Sequence, residues 1–222
     1  IATSDVHIKA KFDKLGDTMA EKRRAIIERA VEAIEHALTY TDNVEFSAED
    51  AGRTDTGFLR EIVQEAAKAG ATTINIPDTT GYCTPSEYTE LLTTVQDCLP
   101  DPEQVILSTH CHDDLGLATA NTLAGVKAGA RQVECTINGI GERAGNAALE
   151  EIVMALSVRN DDFKASTGIN AKHLNTELTL FGGHHEHEPG ILFRSADAPL
   201  RGELDGELLN AAVGTVGGHC HD

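Results

Sequence analysis

The chain has 222 residues, with 18 Lys and Arg against 36 Asp and Glu and a formal net charge of −18. A balance this acidic argues against nucleic acid and against an anionic membrane surface as partners, because phosphate repels it and no basic stripe offsets it. No apolar run reaches the ~18 residues of a spanning helix, no charged-then-apolar leader opens the chain, and five cysteines without a CxxC pair fit a reduced, cytoplasmic setting.

The chain opens without Met in IATS (1–4), which reads as the end of a strand and suggests a piece of a longer protein. A helix is predicted over 19–38, where Ala25, Ile26, Ile27, Ala30, Val31, Ile34 and Leu38 recur at helical offsets. A short strand follows at 43–47, then a helix over 55–69 with Phe58, Leu59, Ile62 and Val63 on its apolar side and Gly70 closing it. Next come a strand at 72–77, a helix over 85–98 with Pro85 in its first turn and Thr84 as cap, and a strand at 104–110. A helix over 117–128 closed by Gly129, a strand at 132–137 and a helix over 146–156 complete the series.

Strands recur about every 30 residues, the signature of parallel βα units, and two helix-to-strand joints share Lys-Ala-Gly-Ala (68–71 and 127–130). This spacing suits a doubly wound sheet or a (β/α)8 barrel, and a whole barrel takes about 250 residues. Residues 182–222 lack the period and are rich in Gly and His, including His184, His185, His187, His219 and His221. They read as a separate, divergent segment.

In either architecture active sites gather at the C-terminal ends of the strands. Polar residues collect there: Ser47, Glu49 and Asp50; Asp78, Thr79 and Thr80; His110, His112, Asp113 and Asp114; Asn138, Glu142, Arg143 and Asn146. In an extended segment His110 and His112 project to one side, which suits a divalent cation. Two imidazoles underfill a coordination sphere, and Asn146 on the neighbouring unit offers a carbonyl oxygen. Histidines that are merely hydrogen-bonded or exposed show the same pattern. NGIGERAGN (138–146) reads as a tight glycine loop with a Glu142–Arg143 ion pair, or as a loop wrapping a ligand and presenting Asn146; it is not a dinucleotide fingerprint. Glu49 alone reads equally as a solvated carboxylate, and Thr79 and Thr80 as caps.

The stretch STHCHDDLGLATANTLAGVKAGARQVECTINGIGERAGNAALEEIVMAL (108–156), with its HxHxDxG and GxGERxGN motifs, closely resembles the 2-isopropylmalate/homocitrate synthase family. VEFSAEDAGRTD (44–55), GATTINIPDTTGY (70–82) and the opening IATSDVHIK resemble the same enzymes in the same order. The resemblance implies a TIM (β/α)8-barrel fragment holding roughly strands four to eight over 1–175, followed by a divergent tail over 176–222. It implies a Claisen condensation of acetyl-CoA with 3-methyl-2-oxobutanoate towards leucine, aided by a divalent cation (Mn, Mg or Zn). His110, His112 and Asn146 would be the metal ligands, Thr79 and Ser47 would contact substrate, and Glu49 would assist proton transfer; the full-length family implies a homodimer. Glu45 matches the leucine-pathway branch, whereas homocitrate synthases tend to carry arginine there; citramalate synthase is an alternative. The family's metal-binding aspartate, in an Arg-Asp-Gly motif, has no counterpart here, and HHEHEPGIL (184–192) resembles the family's next element only superficially. A second reading is therefore an inactive half-barrel, and a third a His-rich metal-binding module.

Overall fold

The computed structural model describes residues 1–171, Leu174 and the two-residue strands Ile191–Leu192 and Arg194–Ser195; most of the C-terminal segment read from the sequence lies outside the described residues. Ala2 makes a parallel bridge to Glu49, so the opening residues lie beside the first strand as the end of a neighbouring one. A helix that the periodicity does not announce follows, α1 (Asp5–Lys11), capped by the Ser4 hydroxyl. Then come α2 (Met19–Leu38), β1 (Glu45–Ser47), α3 (Thr56–Lys68), β2 (Thr73–Asp78), α4 (Pro85–Gln96), β3 (Ile106–Cys111), α5 (Ala118–Lys127), β4 (Gln132–Glu134), α6 (Leu149–Val158) and the single turn α7 (Asn160–Phe163). The short strands β5 (Ala165–Ser166), β6 (Ile191–Leu192) and β7 (Arg194–Ser195) close the described chain.

Local chemistry explains the helix boundaries. Thr18 and Glu21 form a reciprocal capping box on α2, Thr84 and Glu87 do the same on α4 behind Pro85, and Asp55 accepts from the Phe58 N–H at the start of α3. After α3 and α5 the chain turns at Gly70 (φ 106°) and Gly129 (φ 105°), the shared Lys-Ala-Gly-Ala joint; a side chain there would meet steric resistance.

Strands β1, β2, β3 and β4 pair in parallel in that order, and β6 adds antiparallel to the free side of β4. The register places residues in rows across the sheet: Phe46, Ile74 and Leu107 in one, and Ser47, Asn75, Ser108 and Gln132 in the next. Because side chains alternate along a strand, neighbouring rows face opposite sides. One side carries Phe46, Ile74, Ile76, Leu107 and Val133, buried with Leu59, Ile62, Leu92, Ile152 and Leu156 of the helices. Tyr88 of α4 is fully buried there and donates to the Ile76 carbonyl at 2.6 Å. The other side is polar.

Three boundaries differ from the sequence reading. β3 starts at Ile106 and runs on to Cys111; β4 ends at Glu134 and Ile137–Gly139 is a 3-10 turn; and α6 begins at Leu149, not at Asn146. The cause is the 139–147 loop, which folds back onto the end of β3: Asn146 bridges His112, and Ala147 N–H donates to the Cys111 carbonyl at 3.1 Å. Those backbone groups are used across the sheet and are lost to the helix.

Candidate active site

The polar face forms the floor. In one row Asn75 Nδ2 donates to Ser47 Oγ at 3.1 Å and Gln132 Nε2 donates to Ser108 Oγ at 3.1 Å. The row above pairs His110 with Glu134 across β3 and β4. There His110 Nδ1 lies 2.6 Å from Glu134 Oε2. His110 and His112 project together as the spacing implied: their Nε2 atoms are 3.1 Å apart. Cys111 between them points to the helix side, where burial pushes its thiol up to about 12, so it is no nucleophile at neutral pH.

His112 is buried, and loss of water followed by the charge of His110 pushes its imidazole down to about 4. It is therefore neutral at physiological pH, the form a cation requires. Burial works against ionisation of Glu134, but the His110 hydrogen bond and charge outweigh it and hold the carboxyl below its usual range. Its neighbour Glu45 is raised, first by crowding that strips water from the carboxyl and then by the negative Glu134 within hydrogen-bond reach; Gln132 Nε2 donates to Glu45 at 2.7 Å.

The rim is tied by Arg143, which turns away from Glu142 (3.9 Å) and instead forks onto Asp114 through two bonds of 2.7 Å. The sequence-read Glu142–Arg143 ion pair is present as the looser contact at 3.9 Å, and Asp114 takes the planar, two-point contact that a neighbouring side chain in the same turn cannot offer. Arg143 also donates to the Thr79 carbonyl at 2.8 Å, joining three strand-end loops. The Thr79 hydroxyl accepts from Asp50 N–H at 2.9 Å, and Asp78, buried beside it, accepts from Tyr82 and Cys83 N–H and from Asn121. Asp113 caps α5 by accepting from Ala118 N–H. Glu49 stands apart from the imidazoles in its contacts: its carboxylate pairs with Lys11, and His7 Nδ1 of α1 lies 3.2 Å away without a hydrogen bond to it. Glu134, His7 and Lys11 are residues that reading the motifs did not single out, and the contact between Arg143 and Asp114 is a pairing it did not give. Glu134 had one sequence signal, an acid in an otherwise buried strand.

The residues present fit a divalent cation. Ligands at about 2.1 Å and right angles to one another sit about 3.0 Å apart, and tetrahedral ones about 3.4 Å; the two Nε2 atoms are separated by 3.1 Å. His112 Nδ1 is buried without a partner, so that ring has no other anchor for its nitrogens. Asn146 donates its amide nitrogen to the Ile140 carbonyl at 3.1 Å, which leaves Oδ1 as its free ligand atom, and a Cβ on Gly141 would fill the cradle of that amide. No cluster of three or more His, Cys, Asp or Glu suited to a metal occurs among the described residues, which here offer two imidazoles and an amide. A cavity of about 490 Å³ lined by Val105, Leu107, Lys127, Arg131 and Phe163 lies at the opposite ends of β3 and β4, away from this chemistry. Among the described residues no helix is long and apolar enough to cross a membrane.

Parallel βα units with polar groups converging at the strand C-termini define a partial TIM barrel with an enzyme-type site. The chain belongs to the HMGL-like family, whose model matches residues 1–179. It is 81% identical over 174 residues, 78% of this chain, to the 2-isopropylmalate synthase of Salinibacter ruber, of which that match covers 32%. It is 53% identical over 215 residues to the 2-isopropylmalate synthase of Caulobacter sp. (strain K31), covering 95% of this chain and 40% of that one, so this match runs into the C-terminal segment. The chain thus spans about a third of the length of the curated relatives it matches. The hydroxymethylglutaryl-CoA lyase of Pseudomonas aeruginosa shares the fold, with a TM-score of 0.64 at 20% identity over 82% of this chain and 62% of that one.

Proposed function

We propose that residues 1–175 are the C-terminal part of the catalytic barrel of a 2-isopropylmalate synthase, an acyltransferase of leucine biosynthesis, and that 176–222 form a distinct segment. The observation that carries this is 81% identity over 174 residues to a protein of that name. The family-level resemblance of the HxHxDxG and GxGERxGN motifs, and the facing imidazoles, support it.

In this reading His110 and His112 hold a divalent cation (Mn, Mg or Zn) through Nε2, with Asn146 Oδ1 beside them. When bound, the cation supplies a Lewis acid for the carbonyl of the 2-oxo acid. The chain's own groups do the rest. The Thr79 hydroxyl, held at the rim by Asp50 and Arg143, donates to the substrate carboxylate. Ser47 lines the floor. Glu49 assists proton transfer from the methyl group of acetyl-CoA, and Lys11 keeps it oriented. The enzyme would act in the cytoplasm as a homodimer.

The test is CoA release from acetyl-CoA and 3-methyl-2-oxobutanoate by this sequence carried in a chain of the relatives' length. Turnover abolished by His110→Ala is expected. Preference for pyruvate or 2-oxoglutarate would reassign the substrate, and no turnover with any 2-oxo acid would refute the reading. The 222-residue chain alone is expected to bind Mn²⁺ without turnover, since its described residues bring no carboxylate to the cation site.

A further inference from the structure

We infer that Glu134 is the positioning residue of this site: its carboxylate holds His110 as the Nδ1–H tautomer, so that the His110 Nε2 lone pair faces His112, which carries its proton on Nε2 until a cation takes that place. The cation arm of this inference rests on the functional reading above.

The argument starts from register. His110 and Glu134 are Cα partners in adjacent parallel strands, so both side chains rise from the same face at the same height. Their contact, His110 Nδ1 to Glu134 Oε2 at 2.6 Å, is a short hydrogen bond to a carboxylate. An ionised carboxylate only accepts, so Nδ1 carries a proton, and in the neutral ring Nε2 is left with its lone pair. Glu134 is itself steadied, since Ser108 Oγ approaches its second oxygen at 3.4 Å and Gln132 Nε2 backs Ser108 at 3.1 Å.

This choice propagates. Across the 3.1 Å gap between the two Nε2 atoms one must donate, and a neutral His110 cannot. His112 therefore carries Nε2–H, which leaves its Nδ1 as a buried lone pair; that atom has no partner, as this assignment allows. For His112 to offer Nε2 to a cation, its proton would pass to Nδ1 by exchange with water. The imidazole stays neutral and the pair releases no net proton. His110 needs no such change, because Glu134 has already set it.

The experiment uses the ¹⁵N-labelled 222-residue chain, stripped of metal with chelator at neutral pH, and two-bond ¹H–¹⁵N correlation spectra of the histidine rings, with His110→Gln and His112→Gln assigning the signals. The expected result is Nδ1–H for His110 and Nε2–H for His112. In Glu134→Ala, His110 moves to the Nε2–H form and Mn²⁺ affinity falls about 10–100-fold. An Nε2–H His110 in the wild-type chain overturns the inference even if the variant does not fold. So does a folded Glu134→Ala chain with unchanged tautomer and unchanged Mn²⁺ affinity. Wild-type chain that shows the expected tautomers but takes up no Mn²⁺ upholds the role of Glu134 and refutes cation binding by His110, His112 and Asn146 alone, while the turnover test in the longer chain judges the function, so the two failures are distinguishable.

Discussion

Replacing Gly141 with alanine perturbs Asn146 without altering it. A Cβ at position 141 would lie 2.0 Å from Asn146 Nδ2 and 3.0 Å from its Cγ. The amide must retreat by about 1 Å, because real Cβ contacts essentially never fall below 3.0 Å. That motion stretches the bond from Nδ2 to the Ile140 carbonyl, now 3.1 Å. Losing one such bond costs about 0.5–1.5 kcal/mol, and forcing the side chain some 30° off its rotamer costs about 0.5–1.5 kcal/mol. Together they reach about 1–3 kcal/mol, or about 5–150-fold in cation affinity if Asn146 is a ligand. The low end applies, since Asn146 is partly exposed and water can replace the lost partner. Isothermal titration of Mn²⁺ into the chain measures the effect. Gly168→Ala, whose methyl meets nothing within 4 Å, is the control. Wild-type affinity in Gly141→Ala would show that Asn146 does not touch the ion.

The remaining expectations concern protons and the rim. His112 titrates near 4 when folded and about 6.5 when unfolded, so the unfolded chain binds more protons between these values. Its contribution is complete above about pH 6.5 and is lost as pH falls towards 4, on the order of 3 kcal/mol; chemical denaturation of wild type and His112→Gln at several pH values should show their difference shrinking by that amount, and a constant difference contradicts it. Glu45 has the opposite sense, because a carboxyl raised in the folded state loses stability as pH rises through its folded pKa. Glu45→Gln should therefore gain melting temperature relative to wild type on going from mildly acidic to alkaline buffer, and a parallel pH response of the two proteins would count against the Glu45–Glu134 conflict. Arg143→Lys removes the fork onto Asp114 and should cost under about 1 kcal/mol, as the pair is partly exposed. Its clearer sign is faster amide exchange in the loop at 79–81, and unchanged exchange would mean that Arg143 does not hold Thr79.

Helix faces, capping residues and glycine stops are local, so they were legible along the chain: the span of α2, the Pro85 start of α4 and the Gly70 and Gly129 stops were read directly from residue order. So was the convergence of His110 and His112, because alternation along one strand needs no partner. The family resemblance rested on contiguous motifs and the match over 1–179 agrees with it. α1 escaped notice because it buries only Ile8 and so shows no apolar stripe. The start of α6 was misjudged because backbone partners far away in sequence claimed the groups around Asn146. Register between strands is a property of the whole sheet. It alone set Glu134 beside His110 and Ser47 against Asn75, while Glu45 of β1 and Glu134 of β4 meet across the polar face with two strands between them. Arg143 likewise had an acid next to it in sequence, yet loop geometry delivered it to Asp114. Residue order determined which ligand-type side chains exist and which share a strand face; the packing of parallel strands decided what each one touches, and with that its charge and its tautomer.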